Sequence, residues 1–259
     1  MPETTRSFRA ALITGASSGI GEAFAEALPR STSLLLTGRD EAVLTRLAAT
    51  LGAGRLVETL AADLATDAGR DAVATAAERM AVDLFVCNAG SGPYGDFLAA
   101  DEASLRQTVE VNVTTPLVLL RRLLPDMIAR AEADRRRAGA IVVSSSAAFL
   151  PVPRLAAYAA SKAFDLALAE ALAAELAGRP VDILALCPTA TRSSFAERSG
   201  YGRMPPLAQS PRHVARRALA ALGRQRTLVL GPLTGSVLTA PALVRAAAAQ
   251  MFQGVMPRR

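Results

Sequence analysis

The 259-residue sequence contains few of the residues that build disulfide frameworks and metal centres. It has two cysteines, Cys87 and Cys187, which stand a hundred residues apart, and its only histidine is His213. No disulfide scaffold and no zinc site can be built from one histidine and cysteines at that spacing. The sequence therefore predicts neither a disulfide-stabilised fold nor a metal centre.

Lysine and aromatic residues are also scarce. The formal net charge is +6, yet Lys162 is the only lysine, so arginine carries almost all of the basic charge. The arginines are scattered, and their densest run is residues 135–137. Aromatic residues make up 4% of the chain and tryptophan is absent, which leaves little material for a platform that stacks nucleic-acid bases. The sequence does not predict a nucleic-acid partner.

Neither end of the chain has the pattern of a targeting segment or a membrane span. Residues 1–9 carry charge without an apolar stretch, so they do not predict a secretory signal. Residues 227–244 are 18 positions without charge, which is long enough to cross a bilayer, but two glycines and two prolines interrupt them. A strand, a loop and a final helix over about 227–253 are favoured. We expect a cytoplasmic protein with no integral membrane span, and contact of this apolar tail with a membrane surface stays open.

Short apolar segments alternate with alanine-rich helical segments, and 51% of all residues are apolar. Strands are predicted over residues 10–14, 33–37, 56–61, 83–88, 140–144, 181–186 and 228–230. Helices are predicted from the first turn to about 28, and over about 41–51, 66–80, 102–114, 116–133 and 155–176. Such alternation forms βαβ units, and nearly all-apolar strands suit a sheet covered on both faces. The sequence predicts an α/β fold, a single Rossmann-like doubly wound domain over 1–259, with about seven parallel strands and helices on both faces.

A glycine-rich turn joins the first strand to the first helix. Glycines at such a turn let the backbone approach a pyrophosphate closely, and the helix N-terminus supplies amide donors and a favourable dipole. Its position in a βαβ unit therefore indicates a dinucleotide site. The residues of the turn that we expect to bind are Gly15, Ser17, Ser18, Gly19, Ile20 and Gly21.

A second motif combines a phenol with an ammonium group. Tyr158 and Lys162 lie one turn apart if their segment is helical, so both side chains project from one face. A fixed positive charge nearby favours the phenolate, which lets a tyrosine exchange a proton near neutral pH. Because the chain uses arginine everywhere else, lysine at this one position indicates a need for a compact donor.

Together these motifs resemble the classical short-chain dehydrogenase/reductase family. The Thr-Gly-x-x-x-Gly-x-Gly spacing of residues 14–21 and the Tyr-x-x-x-Lys of residues 158–162 both match, and the resemblance covers about residues 10–230. Ser145 stands thirteen residues before Tyr158, which is the family's spacing for its catalytic serine, and Asn112 matches its catalytic asparagine. The resemblance thus implies a catalytic group of Asn112, Ser145, Tyr158 and Lys162.

The resemblance also implies further cofactor contacts, with two departures from the family pattern. Cys87 stands where the family's Asn-Asn-Ala-Gly has its first asparagine, and Thr189 stands where a glycine usually follows Pro188. The implied contacts beyond the glycine turn are Asp63, Leu64, Asn88, Ala89, Gly90, Tyr158, Lys162, Pro188 and Thr191.

The end of the second strand bears on the choice between NADP and NAD. Gly38 stands where an NAD-selecting aspartate is usual, and Arg39 follows it. A guanidinium at that position can pair with the 2′-phosphate of NADP. NADP(H) is therefore favoured over NAD(H), and Asp40, the next residue, keeps the NAD alternative open.

The implied reaction is hydride transfer between a nicotinamide and a carbonyl compound or secondary alcohol, with Tyr158 as general acid and base. Residues 189–210 form a long segment without periodicity, which we expect to be the substrate lid. Phe195 in the lid and the apolar residues 149–152 predict an apolar small-molecule substrate.

Two alternative functions remain open at this point. A 3-oxoacyl reductase acting on a carrier-linked or lipid-linked chain would use the same residues. A non-catalytic dinucleotide-binding regulator would keep the fold without turnover. The family commonly pairs the helices around Asn112 and Tyr158, which implies a homodimer or homotetramer.

Overall fold

The computed structural model describes residues 7–200 and 208–231, and one parallel sheet forms the centre of this part of the chain. The strand order is β3-β2-β1-β4-β5-β6-β7, and every neighbouring pair is parallel. This confirms the predicted Rossmann-like α/β fold. The strands are β1 Ala10–Thr14, β2 Ser33–Gly38, β3 Val57–Ala61, β4 Leu84–Cys87, β5 Ala138–Val143, β6 Val181–Pro188 and β7 Thr227–Leu230.

Helices cover both faces of the sheet. Within the described ranges they are α1 Gly19–Ala27, α2 Glu41–Leu51, α3 Asp67–Arg79, α4 Glu102–Val109, α5 Thr115–Ala133, α6 Ala156–Glu175, α7 Phe195–Ser199 and α8 Pro211–Ala221. Leu12 and Phe85 pack with residues of α3, α5 and α6 on one face, whereas Ile13 packs with residues of α1, α2 and α8 on the other. Adjacent residues of a strand point to opposite faces, so a continuous apolar strand supplies two cores at once.

The strand order reverses between β1 and β4. The helix that follows β1 lies on one face of the sheet, and the helices that follow β4 lie on the other. This divergence leaves a crevice at the carboxyl ends of the two strands, which is where ligands bind in open α/β sheets. The glycine-rich turn follows β1 and residues 88–90 follow β4, so both motifs border the crevice.

The helix predicted over 102–114 differs from the observed one. α4 ends at Val109, and residues 110–114 form a π-helical turn that continues into α5. Asn112 lies within this turn and is 1% exposed. A π turn inside an α-helix is rare and is often found at functional sites. No periodicity rule anticipates one inserted residue, which is why the sequence predicted a regular helix.

The prediction missed α7 and α8. α7 is a short helix inside the expected lid, and α8 connects β6 to β7. Most buried residues of α8 are alanines, which are only weakly apolar. The sequence therefore shows little difference in hydrophobicity between the buried and exposed faces of this helix. A crossover helix between two parallel strands is nevertheless required by geometry, and that rule could have found α8.

Several predictions on the tail and the lid fall outside the described residues. These include residues 201–207 of the lid and most of the final strand–helix segment over 227–253, of which only β7 is described. The single domain over 1–259 accordingly stays a prediction. In the part of the chain that is described, every helix is too short or too polar to cross a membrane.

The central position of β1 leads to a prediction for stability. Leu12 is 0% exposed in the middle of β1, so Leu12→Ala leaves a cavity and should lower the free energy of unfolding by about 2–5 kcal/mol. Leu98→Ala is the matched control because Leu98 is 92% exposed, and it should change that energy by about 0.5 kcal/mol or less. Urea unfolding followed by circular dichroism measures both, and equal losses would show that the sheet core is placed wrongly.

Candidate active site

A cavity of about 820 Å³ lies at the carboxyl ends of the strands. Most residues singled out from the sequence line it, whereas Gly19, Gly21 and Asn112 do not. The lining residues among them are Gly15, Ser17, Ser18, Ile20, Arg39, Asp63, Leu64, Asn88, Ala89, Gly90, Ser145, Tyr158, Lys162, Pro188 and Thr191. The fold thus brings the two motifs of the sequence, the glycine turn and the Tyr/Lys pair, to one cavity.

The glycine turn has no room for side chains at two of its glycines. Gly15 has φ +63°, a conformation that residues with a Cβ rarely adopt. A Cβ at Gly21 would stand 2.3 Å from the Gly15 carbonyl oxygen, so α1 packs directly on the turn. Backbone atoms of neighbouring residues therefore lie directly against both glycines.

Asn88 fastens the end of β4 to this turn. Its Nδ2 donates to the carbonyl oxygens of Thr14 and Gly15, at 3.0 and 3.1 Å. The Thr14 hydroxyl accepts in return from the backbone N–H groups of Asn88 and Ala89, at 2.9 and 3.0 Å. Asn88 also lines the cavity, and its amide donors are directed at the turn. Its side chain therefore shapes the turn.

The end of β2 carries the residues expected to distinguish NADP from NAD. A Cβ at Gly38 would stand 3.3 Å from Ser17 Oγ, so the Ser17 hydroxyl lies beside the end of the strand. Arg39 is exposed and lines the cavity. Asp40 is the N-cap of α2, and its Oδ1 accepts from the backbone N–H of Val43 at 3.0 Å. The carboxylate that kept the NAD alternative open is thus engaged by its own helix.

A buried arginine connects the wall expected to contact adenine with the π turn. Arg70 is 4% exposed, and its Nη1 donates to the Leu64 carbonyl oxygen at 2.9 Å and to Glu110 Oε2 at 3.0 Å. Leu64 itself is buried against the cavity, and the Asp63 side chain accepts from the backbone N–H of Ala65 at 3.0 Å. Arg70 therefore holds the loop after β3 and the turn around Asn112 in one arrangement.

Tyr158 and Lys162 both project from α6 into the site. Lys162 Nζ lies 6.0 Å from the centre of the Tyr158 ring. The ammonium is buried, and it donates to the Val143 carbonyl oxygen at 2.8 Å and to Asp165 Oδ2 at 2.9 Å. Sequence reasoning missed Asp165. The sequence does contain an indication of this pair, because Asp165 stands three residues after the only lysine. Side chains at that spacing on a helix can contact each other.

Ser145 follows β5 and faces the same cavity as Tyr158. Its Oγ accepts from the backbone N–H of Ala147 at 3.1 Å, which fixes the hydroxyl at the start of a short 3₁₀ turn. The preceding Ser144 donates its hydroxyl to the Lys162 carbonyl oxygen at 2.6 Å and is buried. Neighbouring serines thus have different environments, and the proton of the Ser144 hydroxyl is already committed to α6.

Asn112 links the loop after β4 to α6. Its Oδ1 accepts from the Ser91 N–H at 2.8 Å, and its Nδ2 donates to the Ser91 carbonyl oxygen and to Ser161 Oγ at 2.7 and 2.8 Å. A Cβ at Gly90 would stand 3.8 Å from both Asn112 Oδ1 and Lys162 Nζ. The asparagine therefore lies next to the lysine across Gly90, and its polar atoms are bonded to the protein.

The described part of the lid lies over the glycine turn. Ser194 Oγ donates to Ser18 Oγ at 3.0 Å, and a Cβ at Gly19 would collide with Ser193. The Phe195 ring lies 5.2 Å from the Tyr158 ring, centre to centre, and gives the cavity an apolar wall. Of the lid arginines, Arg192 donates to the Ala208 carbonyl oxygen at 3.1 Å, so its guanidinium is partly occupied by the chain itself.

The two departures from the family pattern have local explanations. Cys87 is a buried free thiol whose pKa is raised by burial, and this suits a small apolar residue. Thr189 Oγ1 accepts from Gln209 Nε2 at 2.7 Å, and its side chain packs against Gly231, where a Cβ would stand 2.4 Å from Thr189 Cγ2. Gly231, which follows β7, thus leaves space for the side chain of Thr189, which follows β6.

Comparison with known proteins agrees with this arrangement. A sequence model of the family described as short chain dehydrogenase matches residues 9–202. A very-long-chain 3-oxoacyl-CoA reductase of Eremothecium gossypii is 35% identical, and the match covers 83% of this chain and 62% of that protein. The inactive hydroxysteroid dehydrogenase-like protein 1 of Mus musculus is 32% identical, with coverage of 83% and 66%. The chain therefore spans less than two thirds of the length of these two relatives.

Solved structures match over more of the chain. A short-chain dehydrogenase from Sphingobium yanoikuyae in complex with NADPH has a TM-score of 0.79 and 30% identity, and the match covers 96% of each chain. A 3-ketoacyl-(acyl-carrier-protein) reductase from Brucella melitensis complexed with NADH has a TM-score of 0.74 and 28% identity, over 86% of this chain and 96% of that one. This similarity extends over most of the sequence, and it agrees with the parallel sheet, the glycine turn and the Tyr/Lys pair on α6. The chain belongs to the short-chain dehydrogenase/reductase family.

Proposed function

We propose that this protein is an NADP(H)-dependent oxidoreductase that interconverts a carbonyl group and a secondary alcohol on an apolar substrate. The observation that carries the proposal is a single cavity lined by the glycine turn, Arg39, Ser145, Tyr158 and Lys162. Dinucleotide-binding and proton-transfer groups thus face the same space. The presence of both the tyrosine and the lysine argues against a purely regulatory role.

The residues of the cavity fit a dinucleotide with a 2′-phosphate. Ser18 and Ile20, on either side of the first residue of α1, line the cavity, so the backbone N–H groups at this N-terminus would bind a pyrophosphate. Beside the end of β2, the Ser17 hydroxyl and the Arg39 guanidinium can both donate to a phosphate, while the Asp40 carboxylate is held by α2. Residues 63–64 and 88–90 would hold the adenine and ribose portions, and Thr191 and Pro188 the nicotinamide end.

The chain's own residues supply proton transfer and orientation. When bound, NADPH supplies the hydride. The hydroxyl groups of Ser145 and Tyr158 would donate to the substrate carbonyl oxygen, and Tyr158 would deliver its proton there as the alcohol forms. The Lys162 ammonium, 6.0 Å from the tyrosine ring, stabilises the phenolate that remains. Asn112, next to Lys162 across Gly90, would support return of a proton to the lysine side of the site.

The cofactor preference gives the first test. NADPH should bind at least about tenfold more tightly than NADH, which is about 1.4 kcal/mol, and Arg39→Ala should remove most of that difference. Fluorescence titration of the purified protein at one salt concentration measures all four affinities. Arg46→Ala is the matched control, because Arg46 is exposed on α2 outside the cavity and its removal changes the net charge equally. Equal binding of NADPH and NADH by the wild-type protein would contradict the assignment of Arg39.

The substrate class is suggested by the apolar wall of the cavity. Leu150, Val152, Leu155 and Phe195 all line the cavity, and the Phe195 ring lies 5.2 Å from the Tyr158 ring. A lipid-like, steroid-like or aromatic carbonyl compound suits such a wall. The similarity to a very-long-chain 3-oxoacyl-CoA reductase favours a second candidate, reduction of a 3-oxoacyl chain. The similarity to the inactive hydroxysteroid dehydrogenase-like protein 1 of Mus musculus is the reason to test a third candidate, in which the protein binds the dinucleotide without turnover.

Removal of one hydroxyl tests catalysis directly. Tyr158→Phe should lower kcat by about 100- to 10,000-fold, because the proton donor is lost, and should leave NADPH affinity nearly unchanged. Turnover is followed by NADPH absorbance with acetoacetyl-CoA and with bulky aromatic ketones, and the better substrate separates the two candidates. Tyr94→Phe is the control, since Tyr94 is a buried tyrosine that does not line the cavity. NADPH binding with no turnover across the panel in the wild-type protein would favour the binding-only alternative.

We also propose a homodimer or homotetramer that pairs the helices around Asn112 and Tyr158. Val109 and Leu117, on the two helices that flank the π turn, are 48% and 46% exposed. An interface between copies at these helices would remove both apolar side chains from water.

Light scattering after size-exclusion chromatography tests the assembly. The wild-type protein should have at least twice the monomer mass, and Leu117→Glu should shift it towards the 26.9 kDa monomer by placing a charge in the interface. Leu56→Glu adds the same charge at a leucine that is 56% exposed before β3, and it should leave the assembly intact. A wild-type monomer would refute the proposed pairing.

A further inference from the structure

A buried ion pair lies at the base of the cavity on α6. Lys162 Nζ and Asp165 Oδ2 are 2.9 Å apart, and the two side chains are 5% and 3% exposed. Within the part of the chain that is described, the second carboxylate oxygen of Asp165 has no hydrogen-bond partner. A carboxylate with an oxygen left unpaired in the interior is costly, so its presence needs a compensating interaction. Lys162 provides that interaction.

The groups packed around Lys162 show which of them carries the negative charge that balances the ammonium. From the sheet, β5 offers the Val143 carbonyl oxygen, β4 the Cys87 thiol and β6 the Cys187 thiol. Burial raises the pKa of both thiols, that of Cys187 to about 12, so both are neutral at physiological pH. Tyr158 lies one turn earlier on α6.

Glu170, further along α6, is exposed and accepts from the Thr227 hydroxyl, so it does not take the place of Asp165. Among the described residues, Asp165 is therefore the carboxylate that neutralises Lys162.

The balance of burial and charge explains what Asp165 does for the lysine. Burial, the largest single influence, lowers the pKa of Lys162, but the charge and hydrogen bond of Asp165 together with the charges of Tyr158 and Cys87 outweigh burial and hold the pKa above its ordinary value. An ammonium has three N–H donors, and Val143 and Asp165 accept from two of them. The third donor is left for the cavity that Lys162 lines.

We propose that Asp165 is a positioning residue that keeps Lys162 protonated and fixed against β5 before any cofactor binds. Its effect on the reaction is exerted through the lysine, because Asp165 itself does not line the cavity. The proposal deepens the proposed function, since that function relies on a charged Lys162 beside Tyr158. A neutral lysine would neither stabilise the phenolate nor donate three hydrogen bonds.

The composition of the chain permits a direct test on the whole protein. Lys162 is the only lysine, so protein labelled with ¹³C at lysine Cε gives one lysine resonance, and its shift against pH reports the protonation of Nζ. The wild-type midpoint should lie above the ordinary value for lysine. Asp165→Asn, which keeps the shape and removes the charge, should lower the midpoint by about one pH unit or more. Asp126→Asn removes the same charge from the exposed surface of α5 and should leave the midpoint unchanged.

The outcomes separate this inference from the proposed function. A wild-type midpoint below the ordinary lysine value, or one that Asp165→Asn leaves in place, would overturn the role of Asp165. If Asp165→Asn does not fold, the wild-type midpoint still tests the proposal, because a midpoint below the ordinary lysine value overturns it. The measurement uses neither cofactor nor substrate, so the expected shift would stand even if no carbonyl compound were turned over.

Discussion

The parallel sheet brings the carboxyl ends of its strands to one edge, and the candidate site depends on that single constraint. Residues from the ends of six strands meet there without being close in sequence, because parallel strands all end at the same edge of the sheet. The reversal of strand order between β1 and β4 separates the helices that would otherwise cover this edge. Asn88 then fixes the two sides of the crevice to each other through Thr14 and Gly15.

Buried charge is the second determinant of the site. Most ion pairs among the described residues are exposed and contribute little. Lys162 with Asp165 places a buried cation at the cavity wall, and Arg70 with Glu110 places another against Leu64, which lines the cavity. Each cation is bonded to a backbone carbonyl oxygen and to a carboxylate, which together compensate for the loss of water. Arg70 orders the loop after β3 and the π turn, and Lys162 joins α6 to β5.

Much of this arrangement could be predicted from the sequence, because its signals are local. The glycine turn, the apolar strands and the Tyr/Lys spacing on α6 each follow from a short-range pattern, and the order of strands and helices follows from their alternation. What could not be predicted depends on contacts between distant residues. The amide of Asn112 in the π turn bonds to Ser91 and Ser161, and the amide of Asn88 reaches Thr14 and Gly15 because β1 pairs with β4. The engagement of Asp40 by α2 follows a local signal, because aspartate is a favoured residue at the N-cap of a helix.

The central claim is that the cavity holds a nicotinamide cofactor against a carbonyl compound and transfers hydride between them. Isotope transfer tests this claim directly. The wild-type protein is incubated with NADPH deuterated at both C4 positions and with a panel of 3-oxoacyl thioesters and bulky ketones, and the products are analysed by mass spectrometry and NMR. The account predicts one deuterium on the carbinol carbon of an alcohol product. Saturable NADPH binding without deuterium in any product would contradict it.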